Sequence, residues 1–193
     1  SLDAAAAGGQ IQAQGQFSPA PAGASAAAAG WDGRASFRAI NPAAAEGWFG
    51  RGAVLAAHGQ HDRAVEDCSE AIRLNPNIAE AFAARAESLI ALGRLTEAID
   101  DYNRAVELAP ENADHWSNRG ASYQLAEDYE RALADFARAL ELNPSLATTY
   151  QNRGMVLVEL GRFDEAIADL GKAIELEAGL PLAWYHRSVA WFQ

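Results

Sequence analysis

The sequence predicts an all-α solenoid of stacked antiparallel helix hairpins, and three observations carry that prediction. Prolines at Pro42, Pro76, Pro110 and Pro144 recur every 34 residues. An aromatic keeps the same step at Trp48, Phe82, Trp116, Tyr150 and Trp184, each followed four residues later by a small residue: Gly52, Ala86, Gly120, Gly154 and Ser188. Further registers hold through Ala64, Ala98, Ala132 and Ala166, through Ala71, Ala105, Ala139 and Ala173, and through Leu74, Leu108, Leu142 and Leu176. Independent registers that agree on one period define a repeat array, in which each unit buries its apolar face on its neighbours.

Along the chain, residues 1–30 form a low-complexity head of Ala tracts, Gly8-Gly9, a Gln-rich patch and Pro19 and Pro21. Such a segment lacks large side chains to bury and cannot offset its ordering entropy alone. With no positive charge at its start and only short Ala tracts, it is a poor signal peptide. Residues 31–44 read as a partial helix leading into the array, because Ala35 to Pro42 has the pattern of the last turns of a second helix. Four whole repeats follow at 45–78, 79–112, 113–146 and 147–180, and 181–193 matches the first helix of a fifth.

Residues 79–112 show what one unit is. Phe82, Ala86 and Leu89 recur at helical spacing until Gly93 breaks the pattern. A second stretch runs from about Thr96, a candidate hydroxyl cap followed by Glu97, with Ala98, Tyr102, Ala105 and Val106 on one face. It stops at Leu108-Ala109-Pro110, since proline cannot continue a helix. The small residues let two backbones approach closely, and the aromatic rings fill the space between hairpins.

Charge narrows the partner class. The net charge is −11, with 14 of the 15 basic residues Arg and Lys172 the single lysine. Phosphate binding needs concentrated Lys and Arg, so no nucleic-acid partner is expected. The four repeats sum to −12, the tail adds +1, and residues 1–44 balance at zero. No run of about 18 apolar residues occurs, so no membrane span is expected. The Arg bias and the Ala-rich composition fit a GC-rich bacterial source, with the cytoplasm favoured over the periplasm.

Two charge ladders share the repeat. Arg51, Arg85, Arg119, Arg153 and Arg187 are 34 residues apart, as are Asp67, Asp101, Asp135 and Asp169. They can pair within a hairpin or from one Asp to the following Arg. Arg187 has no later Asp, which favours the inter-repeat pairing with Asp169. Equal ladders of opposite sign read as structural ion pairs that fix stacking register, rather than as a basic strip for an anionic ligand. Arg, with its planar fork, suits such a site better than Lys.

Signals for catalysis are missing. No HExxH, Walker loop or GxSxG occurs. His58 and His61 flank a hairpin turn beside Asp62 without a metal-ligand pattern. Cys68, the single cysteine, shares a register with Tyr102, Phe136 and Leu170 and reads as packing. No cofactor, metal or catalytic residue is expected, and the chain reads as a non-enzyme.

The 34-residue period, the aromatic with its small residue four positions on, the paired alanines of the second helix and the terminal proline resemble tetratricopeptide repeats over roughly 45–180. His61 departs from the Leu95, Tyr129 and Phe163 of the other units, Cys68 from their larger side chains, and Ala178 from the terminal Pro. The resemblance implies a right-handed superhelix whose concave groove, lined by first helices, binds a peptide or helix. Groove candidates are then Glu46, Phe49, Glu80, Ala83, Glu87, Ile90, Asp114, Ser117, Gln151, Met155 and Tyr185, with Asn118 and Asn152 beside them able to hold a peptide backbone. The basic clamp of the chaperone-tail subclass is absent from this stripe, which suits a basic or apolar protein segment instead. The acids Glu46, Glu80 and Asp114 have a second reading, as favourable charges in helix first turns.

Solenoids need polar caps, and neither end of this array carries one. Upstream the partial helix lacks its mate; downstream the sequence ends in a helix rich in Trp184, Tyr185, Trp191 and Phe192. The array therefore reads either as a fragment of a longer one or as a piece whose ends meet a partner, including another copy. The leading function is a protein-interaction scaffold or adaptor. The alternative is an assembly subunit docked through its ends and its Ala-rich head, or the repeat portion of a longer protein.

Overall fold

A computed structural model describes residues 42–193; the head and residues 31–41 of the partial helix lie outside it. Among the described residues all regular structure is helical: α1 (Pro42–Ala57), α2 (His61–Leu74), α3 (Ala79–Ala91), α4 (Leu95–Leu108), α5 (Ala113–Leu125), α6 (Tyr129–Leu142), α7 (Ala147–Glu159), α8 (Phe163–Leu176) and α9 (Pro181–Trp191). Odd-numbered helices are the first helices of each hairpin and even-numbered ones the second. Each helix packs on its hairpin mate, each second helix on the next first helix, and first helices touch one another at α1–α3, α5–α7 and α7–α9. This is an all-α solenoid.

The small residue of each unit sets the hairpin spacing. A Cβ on Gly52 would sit 2.8 Å from Cys68 Sγ, on Gly120 2.8 Å from Phe136 Cε1, and on Gly154 2.6 Å from Leu170 Cγ. Phe136 and Leu170 are fully buried and have nowhere to retreat. The volume removed from the first helix is thus refilled by the facing side chain of the second, at the close packing interiors require. The same logic makes Cys68 a core residue. Burial pushes its thiol up to about 11, which leaves it protonated and unreactive.

Between hairpins apolar clusters do the joining, with Phe82 and Tyr150 of the aromatic register among them. Phe82, Leu89 and Tyr102 form one cluster with Val65 and Ile72 of the preceding second helix packed on it. Tyr123, Phe136 and Val156 repeat the arrangement with Ile99 against them, and Leu157 and Leu170 with Leu133. The indole nitrogens of Trp116 and Trp184 donate to the carbonyl oxygens of Pro110 and Ala178, tying ring to linker at 2.8 and 3.1 Å.

The turns show both the repeat and its exceptions. Gly59, Gly93 and Gly161 take left-handed backbone with φ of +73°, +76° and +70°, and Glu127 holds the same position at φ +58° without glycine's freedom. Two details differ from expectation. The cap of α4 is Arg94 with no side-chain bond, and the helix starts at Leu95, so Thr96 lies inside it. Proline, read as a stop in the other units, opens α1 at Pro42, where a missing N–H costs nothing.

Gly154→Ala is expected to destabilise the array by about 1–3 kcal/mol through overpacking. Gly171→Ala, on the same hairpin with no atom within 4 Å of its Cβ position, is expected to stabilise by up to about 1 kcal/mol. Urea denaturation of both variants checks the contrast.

Candidate functional site

A ladder of Arg–Asp bridges joins the two helices of each hairpin, and the first-helix face lies beside it. Arg51 donates to Asp67 at 2.5 and 2.7 Å, Arg85 to Asp101 at 2.7 and 2.7 Å, Arg119 to Asp135 at 2.7 and 2.8 Å, and Arg153 to Asp169 at 2.6 and 2.7 Å. Each is a two-pronged bridge within one hairpin, between residues 16 apart. The carboxylates are buried while the guanidiniums lie at the edge of the core. Arg51 holds the Asp67 carboxyl below its usual range through that bond.

The inter-repeat pairing expected from Arg187 is thereby corrected. Asp169 is taken by Arg153, and Arg187 makes no ion pair among the described residues but stacks on Trp184 at 4.6 Å. The other four arginines stack on the aromatic three residues earlier as well, at 4.5–5.8 Å. Repeats are linked by neutral groups instead: Arg85 Nη1 donates to Ser69 Oγ at 2.9 Å and Arg119 Nη1 to Asn103 Oδ1 at 3.0 Å, each on the preceding second helix. Ala137 and Gly171 stand at the corresponding later positions and offer no acceptor. Clefts of about 260 and 350 Å³ open beside Arg85 and Arg153 on this side, but the guanidiniums are already engaged.

Most remaining arginines of the second helices are paired locally. Arg73 with Glu70, Arg94 with Glu97, Arg104 with Glu107, Arg131 with Asp128, Arg138 with Glu141 and Arg162 with Glu165 form exposed pairs three residues apart, as does Lys172 with Glu175. Glu46, Glu80, Glu87 and Asp114, all on first helices, form no ion pair among the described residues. Asp62, Glu66, Asp100, Glu130 and Asp164 of the second helices form none there either, so acids without an ion pair lie on both sides; on the first helices the arginines other than Arg187 are all held in the bridges.

Two clefts open between adjacent first helices. One, about 270 Å³, lies between α1 and α3 and is lined by Ala53, Ala56, Ala84, Glu87 and Ser88 with His61 at its edge. The other, about 490 Å³, lies between α5 and α7 and is lined by Ala121, Gln124, Leu125, Asn152 and Glu159. Apolar surroundings push the Glu87 carboxyl above its usual range.

The groove candidates do not all reach this face. Glu46, Glu80, Glu87, Asp114 and Tyr185 are exposed, and Phe49, Asn118, Asn152 and Met155 are half-buried. Ala83 and Gln151 are buried, Ile90 packs on the α3–α4 core, and the Ser117 hydroxyl is bonded to Thr149 Oγ1 at 2.8 Å. Ala83 and Ile90 are drawn into the α3–α4 core, and the Ser117–Thr149 bond ties α5 to α7. Glu46 also falls outside the first-turn explanation, because α1 begins four residues before it; Glu80 and Asp114 do lie in first turns. Sequence reasoning missed Ser88 and the cleft role of His61.

With this geometry in view, the family is clear. Tetratricopeptide repeat models match residues 45–78 and 120–187, and a TPR repeat model matches 86–127. The chain belongs to the tetratricopeptide repeat family. Among solved structures it is similar to the MamA protein, at 21% identity and a TM-score of 0.71, over 77% of this chain and 81% of that one. It is similar to YrrB, described as a TPR protein with an unusual peptide-binding site, at 24% identity and a TM-score of 0.66 over 75% of each chain. The first TPR of Spaghetti (RPAP3), bound to HSP90 peptide SRMEEVD, aligns at 25% identity and a TM-score of 0.58, over 59% of this chain and 90% of that one. No curated protein sequence matches the chain significantly.

Asp101→Ala is expected to cost about 2–3 kcal/mol, since it strands a guanidinium only 23% exposed. Asp67→Ala should cost about 1 kcal/mol, because Arg51 is 57% exposed and water replaces its partner. Chemical denaturation of the two variants measures the difference.

Proposed function

We propose that the protein is a non-catalytic interaction scaffold that holds a peptide or helix of a partner protein along its first-helix face. The observation that carries this reading is the pair of clefts between adjacent first helices, lined by alanines, amides and carboxylates. The Arg–Asp bridges engage the guanidiniums of Arg51, Arg85, Arg119 and Arg153, while the first-helix side keeps open clefts, amides at Asn118 and Asn152, and carboxylates without ion-pair partners among the described residues. Such a face offers hydrogen bonds to an extended backbone and a negative field to steer its approach.

Solved relatives support the mode of action. YrrB is described by a peptide-binding site and the RPAP3 repeat by a bound HSP90 peptide. The partner chemistry differs from the second case. SRMEEVD is rich in acids, whereas the face of this chain carries Glu46, Glu80, Glu87 and Asp114 and would repel it. A basic or partly apolar segment complements these residues. Nucleic acid does not, because four arginines are bound to buried carboxylates and six more pair with surface acids three residues away.

A displayed library of random peptides of about 12 residues, panned on the full chain, tests the reading. Binders are expected that are lost by Ala121→Arg and Asn152→Arg on the first-helix face. They are expected to survive Ala168→Arg beside the bridges on the second-helix side. A library that yields no binder, or binders lost only by the second-helix variant, contradicts it.

A further inference from the structure

Three departures from the repeat meet in the cleft between α1 and α3. His61 opens its helix where the others have Leu95, Tyr129 and Phe163. Glu87 occupies a register held elsewhere by Ala53, Ala121, Met155 and Val189. Ser88 shares its register with Ser122, whose hydroxyl donates to the Asn118 carbonyl oxygen at 2.9 Å. The Ser88 hydroxyl, by contrast, is fully buried and has no partner among the described residues, and His61 Nδ1 is shielded from solvent and equally without one. Leaving two polar atoms unmet in a well-packed array is unfavourable, and native structures retain such atoms where something else meets them.

All three residues line one cleft, whose other walls include the methyl groups of Ala53, Ala56 and Ala84. We propose that this cleft seats the side chain of one lysine or arginine from a segment bound along the first-helix face. The proposal rests on the groove reading above and adds the anchor that the groove selects. An aliphatic stem lies well against alanine methyls, while its cationic head stays with polar groups. Glu87 supplies an unpaired carboxylate, and Ser88 Oγ and His61 Nδ1 supply further acceptors for a head that carries several N–H donors and no acceptor. An apolar side chain would leave both buried atoms unmet, and a carboxylate would face Glu87. Glu46, Glu80 and Asp114 place further negative charge on the same side to favour a basic segment over an acidic one.

The probes are the peptides captured by the full chain from the displayed library. Each Lys or Arg is replaced in turn by norleucine, which keeps the stem and removes the charge. Dissociation constants are read by fluorescence anisotropy against the parent chain, Glu87→Gln, and Glu66→Gln as an exposed control on a second helix that lines neither first-helix cleft. One basic position per peptide is expected to lose about tenfold in affinity to the parent and to the control, but under about twofold to Glu87→Gln, which is the signature of a coupled pair. Peptides whose basic positions all tolerate norleucine, or lose equally against Glu87→Gln, overturn the anchor while leaving the groove reading in place. A library without binders overturns both.

Discussion

Everything in this array depends on how closely the two helices of a hairpin approach. Gly52, Gly120 and Gly154 leave no room for a Cβ against Cys68, Phe136 and Leu170. That contact brings Arg51, Arg119 and Arg153 within reach of the Asp 16 residues on, and Ala86 does the same for Arg85 with a methyl in place. The bridges then lock the rotation of one helix against the other, with the aromatic three residues earlier beneath each guanidinium. A buried pair of this kind adds little net stability over an apolar contact, but breaking half of it is costly. Its effect is to hold one geometry.

Fixing the hairpin in this way has a functional consequence. Four arginines are consumed by the bridges and six more are paired with acids at the surface, so the Arg-rich basic complement adds little free positive charge to a chain of net charge −11. On the proposed reading, the surface left for recognition is the alanine-rich first-helix face with Glu46, Glu80, Glu87 and Asp114. The family and its solved relatives place the chain among interaction modules, and on the reading proposed above the acids of this face favour a segment unlike the acidic peptide held by the RPAP3 repeat.

Much of the fold was legible because the same physical task recurs in each repeat. Ring, small residue, alanine pair and proline stop all return at 34 residues, and any one unit explains the rest. The partners within the ladder were not legible, since Asp67 to Arg85 and Asp67 to Arg51 are both plausible separations until the hairpin spacing is known. Burial of Ala83 and Gln151 was hidden for a related reason: it depends on the rotation between successive hairpins, which the repeat period does not encode. His61 stood out as a departure from its register, and Glu87 was legible only as a groove candidate. Their convergence with Ser88 on one cleft needed the fold, because the three residues sit on two helices and only the hairpin stacking brings in α1.

The central claim is that a bound segment lies along the first helices and leaves the Arg–Asp bridges untouched. Amide chemical-shift mapping of the full chain with a captured peptide tests it most directly. The account predicts perturbations at Ala53, Glu87, Ser88, Asn118 and Asn152, with Ser69, Asp101 and Asp169 unmoved. Perturbations concentrated at Ser69, Asp101 and Asp169 would contradict it.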